Sequence, residues 1–129
     1  MTRMVLVDSS VWIRFLRNRS PYAEGMNRLL AHDEVVAHEL VYGELLAGDN
    51  GGRRVLLAGY AEMAWVRTLP HDEVVEFVLR RRLNGRGAGW TDLNLLASAL
   101  VAGVELWTAD ERLATLADAL LLSYDPRVD

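Results

Sequence analysis

Residues 4–13 of the chain read Met-Val-Leu-Val-Asp-Ser-Ser-Val-Trp-Ile. Four apolar residues lead into Asp8, and a helical pattern follows at once. A short apolar run that ends at a polar residue is typical of a strand buried on both faces of a parallel sheet. In open α/β sheets, ligands bind beyond the carboxyl ends of the strands, where the strand order switches. If Met4–Val7 is the central strand, Asp8 lies at such a place; alternatively, Asp8 or Ser9 only caps the next helix.

Short apolar strands alternate with helical patterns along the rest of the chain. This alternation predicts an α/β fold with a central parallel sheet of four to five strands and helices on both faces. A length of 129 residues suits one domain, residues 1–129, and is too short for two. The predicted strands are Met4–Val7, Glu34–Ala37, Trp65–Leu69, Val104–Trp107 and Leu120–Ser123.

The composition narrows the classes of protein that the chain can be. Hydrophobic residues make up 51% and charged residues 25%, which is typical of a soluble folded domain. Cysteine is absent, so disulfides and thiolate metal sites are excluded, which agrees with a cytoplasmic location. No apolar run approaches the roughly 20 residues of a membrane span. A net charge of −4 argues against indiscriminate nucleic-acid binding but leaves a nuclease open, because an acidic metal site itself lowers the charge.

All 14 basic residues are arginine. The absence of lysine excludes the usual form of a P-loop, whose lysine contacts the phosphates. It also argues against response-regulator receivers and haloacid-dehalogenase-type phosphatases, which ordinarily have a lysine beside the reactive aspartate.

Three further acids stand at informative positions. Glu44, in the predicted helix His38–Ala47, is flanked on the helical wheel by apolar residues, which predicts a side chain turned toward the core. Such an acid needs a partner, and both an arginine salt bridge and a metal or substrate site are open. Asp92 opens the helix Asp92–Ala102, where an acid also favours the helix dipole. Asp110 follows the fourth predicted strand.

The stretch around Asp110 also admits a purely structural interpretation, because it resembles the start of a helix. Thr108 and Glu111 fit the spacing of a capping box. That motif needs no acid between them, so the local sequence leaves Asp110 unexplained.

Asp8, Glu44, Asp92 and Asp110 can all reach one crevice at the carboxyl edge of the predicted sheet. Two carboxylates 4 Å apart repel each other by about 4 kcal/mol at an effective dielectric of 20. A divalent cation would offset that repulsion, and oxygen ligands suit Mg²⁺ or Mn²⁺ better than zinc. Such a site can polarise a phosphoryl oxygen and activate water.

The four segments around these acids resemble the PIN-domain ribonucleases, and in order, spacing and length the VapC-type toxins of bacterial toxin–antitoxin pairs. The resemblance covers essentially the whole chain. It implies a doubly wound sheet, an endoribonuclease that uses Mg²⁺ or Mn²⁺, a homodimer and a cognate antitoxin. It assigns the metal and catalytic acids to Asp8, Glu44, Asp92 and Asp110, with Ser9 and Thr108 as hydroxyl residues beside them. The matching segments read VDSSVWI (7–13), GELLAG (43–48), DLNLLA (92–97) and WTADERL (107–113).

A basic segment is the other functional candidate. Arg80, Arg81, Arg82 and Arg86 form the densest positive run, and they either contact RNA phosphates or form a solvated helix face. An interaction protein that binds a basic partner segment in its acidic pocket, without catalysis, is the alternative to the nuclease. For a homodimer, the candidate surfaces are the apolar helices Arg53–Ala64 and Asp72–Leu83.

Overall fold

A parallel sheet forms the centre of the computed structural model, which describes residues 3–127. Its four strands are β1 (Val5–Val7), β2 (Val35–Ala37), β3 (Ala64–Trp65) and β4 (Glu105–Trp107). The strand order is β3-β2-β1-β4. The helices in the described residues are α1 (Ser9–Leu16), α2 (Tyr22–Ala31), α3 (Glu39–Ala47), α4 (Arg54–Ala61), α5 (His71–Arg80), α6 (Trp90–Ala102) and α7 (Glu111–Ala119).

Strand β1 lies inside the sheet, between β2 and β4, as its apolar sequence predicts. Val5 pairs with Val35 on one side and with Glu105 on the other. All three residues of β1 are buried. Because successive side chains of a strand point to opposite faces, β1 is covered on both faces. The predicted α/β fold with its central parallel sheet is confirmed, and no helix of the described residues is long and apolar enough to cross a membrane.

Two predicted strands are shorter than their sequences suggest. Of the run Trp65–Leu69 only Trp65 is in a strand, because β3 is Ala64–Trp65 and its partner β2 ends at Ala37, opposite Trp65, before the chain turns into α3. The run Leu120–Ser123 contributes only an isolated parallel bridge from Ser123 to Leu106. Leu121 has a φ of 60°, a left-handed conformation that interrupts an extended strand.

The start of helix α6 also differs from the prediction. The sequence predicts that this helix opens at Asp92, with Thr91 before it as the cap, but α6 begins at Trp90, and Gly89 is its N-cap residue. Thr91 therefore lies inside the first turn. The shift does not remove Asp92 from the first turn, where the positive end of the helix dipole favours an acid.

A buried histidine joins the two helices that carry Glu44 and Asp92. His38 is 0% exposed and directly follows β2. Its Nδ1 accepts a hydrogen bond from Leu40 N at the start of α3, and its Nε2 lies 3.0 Å from Ser98 Oγ of α6. Tyr60 Oη accepts the backbone N–H of His38 at 2.9 Å. The imidazole thus caps α3 and ties it to α6.

We expect His38 to make the fold sensitive to acid. Burial lowers the pKa of His38 below its ordinary value of 6.5. The unfolded chain therefore takes up a proton first as the pH falls below 6.5, and stability is lost by at most about 1.4 kcal/mol per pH unit. Urea denaturation between pH 7.5 and 5.5 measures this slope.

The variant His38→Gln should be less stable and should lose this part of the slope. His32→Gln is the matched control, since His32 is exposed, and it should keep the wild-type slope. Equal slopes in the wild type and His38→Gln would contradict the assignment.

Candidate metal site at the carboxyl edge of the sheet

The strand order switches at β1, and the candidate site lies at this point. The chain passes from β1 to β2 on one side, and β4 returns to the other side of β1. The carboxyl ends of β1 and β4 are therefore neighbours, and the Asp8 N–H donates to Trp107 O at 2.9 Å. This is the position at which open α/β sheets bind ligands. The first and last of the four acids follow these two strands.

Asp8 is held by two hydroxyl groups. The residue is only 5% exposed. Its Oδ2 accepts hydrogen bonds from Ser10 Oγ at 2.7 Å and from Thr108 Oγ1 at 2.9 Å. Within residues 3–127, its other oxygen, Oδ1, accepts no hydrogen bond, which leaves that oxygen for another ligand.

The same two hydroxyls also fix the turn after β4. Ser10 Oγ accepts the Ala109 N–H, and Thr108 Oγ1 accepts the Asp110 N–H, each at 3.0 Å. A hydroxyl can donate once and accept as well. Each of these hydroxyls therefore links the carboxylate of Asp8 to the backbone that leads into α7.

Asp110 caps α7, so the capping box that the sequence left open as an alternative for Thr108 and Glu111 does not form. Asp110 Oδ1 accepts the backbone N–H groups of Arg112 at 2.9 Å and Leu113 at 3.1 Å. The hydroxyl of Thr108 cannot cap the helix, because it is engaged with Asp8 and with Asp110 N. Asp110 thus has a structural role, but that role uses only one of its two carboxylate oxygens.

Glu44 stands on the open side of α3, which corrects the prediction that it faces the core. The residue is exposed, whereas Val41 and Leu45 of the same helix are buried. Its Oε2 nevertheless accepts a hydrogen bond from Ser9 Oγ at 3.3 Å. Partial burial, then the charge of Asp8 and more weakly that of Asp92, raise the pKa of Glu44, while the Ser9 hydroxyl opposes them. Glu44 therefore faces the acidic crevice rather than the core.

Asp92 interacts electrostatically with the other three acids. It is half-buried in the first turn of α6. Burial, followed by the charges of Asp8 and Asp110, raises the pKa of Asp92, against a hydrogen bond from the backbone of Gly89. The four predicted acids thus form one electrostatically linked group, in which Asp92 interacts with each of the other three and Asp8 interacts with Glu44 and Asp92.

The donor chemistry of this acidic crevice fits a hard divalent cation. Its ligands are carboxylate and hydroxyl oxygens, which Mg²⁺ and Mn²⁺ prefer. Within residues 3–127, no three acid or histidine side chains converge closely enough to form a ready-made cation cage. The carboxylates influence one another's pKa without converging on a single point.

The predicted basic segment is only partly gathered into one surface. Arg80, Arg81 and Arg86 line a groove of about 560 Å³, whose apolar floor comes from Leu83 and from α7. Arg82 does not line it. Within this segment, Arg80 Nη2 pairs with Glu76 Oε1 at 2.7 Å, and the Arg81 guanidinium lies over the Phe77 ring at 5.9 Å.

Two polar residues near the acids were not identified from the sequence. Ser10 contacts Asp8 and the turn after β4, whereas the prediction singled out its neighbour Ser9, which contacts Glu44 instead. His38 stands at the start of the predicted helix His38–Ala47 without an assigned role, and its role in joining α3 to α6 depends on Ser98, which is 60 residues away. The pair of serines that follows Asp8 could have indicated the role of Ser10. Nothing in the sequence around His38 indicates its role.

Comparisons with known proteins agree with this architecture. The family model described as PIN domain matches residues 5–119. The chain is 47% identical over 111 residues to Ribonuclease VapC32 of Mycobacterium tuberculosis, in strains CDC 1551 / Oshkosh and ATCC 25618 / H37Rv; the match covers 85% of this chain and 87% of the relative. The crystal structure of PAE2754 from Pyrobaculum aerophilum superposes with a TM-score of 0.55 at 19% identity, covering 94% of this chain and 97% of that one. That likeness concerns the fold alone.

Neutralising Glu44 should stabilise the protein when no divalent cation is present. The raised pKa means that the charged carboxylate is disfavoured in the folded state, so stability falls as the pH rises through that pKa. The amide of Glu44→Gln removes this charge. We expect the free energy of unfolding in EDTA at pH 7 to rise by no more than about 1 kcal/mol, because the side chain is largely solvated.

Glu34→Gln is the matched control, since it removes the same charge from a loop and should leave stability unchanged. A loss of stability in Glu44→Gln, measured by urea denaturation, would show that Glu44 does not stand in a repulsive cluster.

Proposed function

Because the chain belongs to the PIN domain family, we propose that it is the toxin of a toxin–antitoxin pair: an endoribonuclease that hydrolyses phosphodiester bonds of cellular RNA with Mg²⁺ or Mn²⁺. The family match spans residues 5–119, and the relative at 47% identity is named a ribonuclease. The proposed domain covers residues 1–129, of which positions 1, 2, 128 and 129 lie outside the described residues. Action on cellular RNA implies a cytoplasmic protein.

One observation carries this proposal: four carboxylates from separate elements influence one another at the switch point of the sheet. Burial and neighbouring negative charge raise the pKa values of Glu44 and Asp92. Within residues 3–127, no arginine forms an ion pair with any of the four. A crevice of this charge repels the phosphates of RNA unless a cation is bound there.

We assign the cation to Asp8, Glu44, Asp92 and Asp110, which are also the proposed catalytic acids. When bound, a divalent ion polarises a phosphoryl oxygen and lowers the pKa of a water molecule. The other residues orient these acids. Ser10 and Thr108 fix one oxygen of Asp8 and leave Oδ1 available, and Ser9 holds the carboxylate of Glu44.

The groove lined by Arg80, Arg81 and Arg86 provides a second element of the proposal. Its positive rim fits RNA phosphates, and we propose that these arginines, with Arg82 beside them, contact the RNA. Its apolar floor also fits an amphipathic helix with acidic residues, which is how the cognate antitoxin would dock there. Such an antitoxin could place an arginine against the acidic crevice, where bidentate pairing with a carboxylate is strong.

We also propose a homodimer formed through α3 and α4. Large apolar side chains are exposed on these two helices and on the edge strand β3: Leu46 is 51% exposed, Val55 is 86% exposed, and Trp65 is 45% exposed. Exposed apolar side chains that form one patch are typical of an association surface. Of the two helices suggested by the sequence, we choose α4 for this proposal, because it packs against α3, which carries the exposed Leu46.

Asp8→Asn should abolish RNA cleavage while leaving the fold intact. Loss of a partner of a metal ligand alone commonly costs 10–100-fold, so loss of the central carboxylate should cost at least about 100-fold. The assay incubates purified protein with total RNA and Mg²⁺ or Mn²⁺ and maps the new 5′ ends by sequencing. Wild-type protein should give discrete fragments that EDTA abolishes.

Asp118→Asn is the control for the loss of one negative charge, since Asp118 is exposed near the far end of α7. It should cleave like the wild type. Wild-type turnover by Asp8→Asn would refute the site assignment. If the wild type binds a basic peptide but never cleaves RNA, the alternative function, a non-catalytic interaction protein, is correct.

Val55→Asp should convert the proposed dimer into a monomer, because a charge at the centre of an apolar interface must be desolvated. Sedimentation equilibrium at micromolar concentrations should give twice the chain mass of 14.5 kDa for the wild type. Val101→Asp is the control: Val101 is 64% exposed but lies on α6, and this variant should remain a dimer. A monomeric wild type would contradict the proposal.

A further inference from the structure

A second pocket adjoins the acidic crevice, and two arginines supply positive charge to its lining. It has a volume of about 430 Å³ and is lined by Ser10, Arg14, Ala109, Asp110, Glu111 and Arg112. Ser10 and Asp110 also belong to the acidic crevice, as described above. The crevice and the pocket therefore share lining residues, and a nucleic-acid strand that crosses the crevice can continue into the pocket.

Arg14 is held in position on one side of this pocket. Its Nη1 donates to Ser10 O, one turn earlier in α1, at 2.9 Å. Its guanidinium carbon lies 5.6 Å from the centre of the Tyr22 ring, within range of a cation–π contact. Both contacts leave other N–H groups of the fork available, since a guanidinium carries five donors. The side chain is half-buried and thus preorganised.

Arg112 stands on the other side, and a glycine of the α5–α6 connection makes room for it. Gly87 has a φ of +90°, and a Cβ built there would lie 2.7 Å from Arg112 Cδ and 3.1 Å from its Nε. Only glycine tolerates both this backbone conformation and this approach. The segment 84–89, which lacks helix and strand, thus passes directly along the Arg112 side chain.

Neither arginine is neutralised by the acids around it. Within the described part of the chain, no carboxylate lies within 4.0 Å of the guanidinium nitrogens of Arg14 or Arg112, although Asp110 and Glu111 line the same pocket. Asp110 is turned toward the backbone N–H groups of α7 instead. Two guanidinium groups at one pocket, of which that of Arg14 is preorganised, offer planar donor forks suited to a phosphate.

We infer that Arg14 and Arg112 bind the backbone phosphate next to the scissile phosphate of the RNA, an inference that rests on the proposed endoribonuclease function. An RNA strand has one phosphate per nucleotide, so a strand with one phosphate at the acidic crevice must place a neighbouring phosphate nearby. The pocket that shares Ser10 and Asp110 with the crevice is where that neighbour meets positive charge. The two arginines therefore set the register of the strand relative to the acids.

The test neutralises the phosphate and the arginines in turn. An RNA oligonucleotide is built around a cleavage site mapped for the wild type, and single phosphates that flank the scissile bond are replaced by uncharged methylphosphonates. Cleavage is measured as kcat/KM with saturating Mg²⁺ or Mn²⁺ for the wild type, Arg14→Gln, Arg112→Gln and the double variant. Arg67→Gln is the matched control, because Arg67 is exposed and faces Glu73.

At one flanking position, the methylphosphonate should lower the wild-type kcat/KM by about tenfold, the scale of one charge-assisted contact. Each arginine variant should show a similar loss on the unmodified RNA and little further loss on the methylphosphonate. The slope of log kcat/KM against log salt should also become shallower by about one for each arginine removed. Arg67→Gln should match the wild type throughout.

The outcomes separate this inference from the function on which it rests. If the wild type cleaves no RNA with either metal, the proposed function fails and the inference falls with it. If the wild type cleaves but the losses from the methylphosphonate and the arginine variants multiply, the phosphate lies elsewhere and only the inference is wrong. Should Arg14→Gln fail to fold, Arg112→Gln decides alone, because Arg112 is exposed.

Discussion

The carboxylate of Asp8 is the contact on which the site depends. It receives two hydroxyl hydrogen bonds on one oxygen, and each of those hydroxyls in turn accepts a backbone N–H from the turn after β4. Because Asp8 is buried at the end of the central strand, this arrangement fixes the end of β1 against the end of β4. It thereby places Asp110 next to Asp8. A buried charged group with satisfied hydrogen bonds costs far less than an unpaired one, which explains why the sequence supplies hydroxyls on both sides.

The other two acids reach the crevice through helices that share an anchor. His38 caps α3 and meets Ser98 of α6, so the helices that carry Glu44 and Asp92 are joined through one buried side chain. Four carboxylates are thus held together although they repel one another. The fold offsets that repulsion with core packing elsewhere: the central strands, α1 and α6 contribute many of its fully buried residues. Functional sites are places where proteins depart from locally optimal choices, and the repulsion among these acids is a departure of that kind.

The sequence predicted the elements that depend on local pattern and missed those that depend on distant partners. The apolar run before Asp8 predicted a central strand, and the alternation of elements predicted the parallel sheet. By contrast, the length of β3 is set by where β2 ends, and the fifth strand is interrupted by the left-handed conformation of Leu121. The orientation of Glu44 was predicted wrongly. A helical wheel shows which face of α3 is apolar, but it does not show that the side chain of Glu44 borders an open crevice. The capping box left open at Thr108 and Glu111 fails for a similar reason, because the hydroxyl of Thr108 is engaged by Asp8, 100 residues earlier.

We propose that Asp8, Glu44, Asp92 and Asp110 together bind divalent metal at the switch point of the sheet. The most direct measurement is an anomalous difference map from a crystal of the protein soaked in Mn²⁺. The account predicts a peak within about 2.0–2.3 Å of a carboxylate oxygen of Asp8, with oxygens of at least two of the other acids or their bound waters completing the coordination. A peak that is absent at saturating Mn²⁺, or that lies away from these four carboxylates, would contradict it.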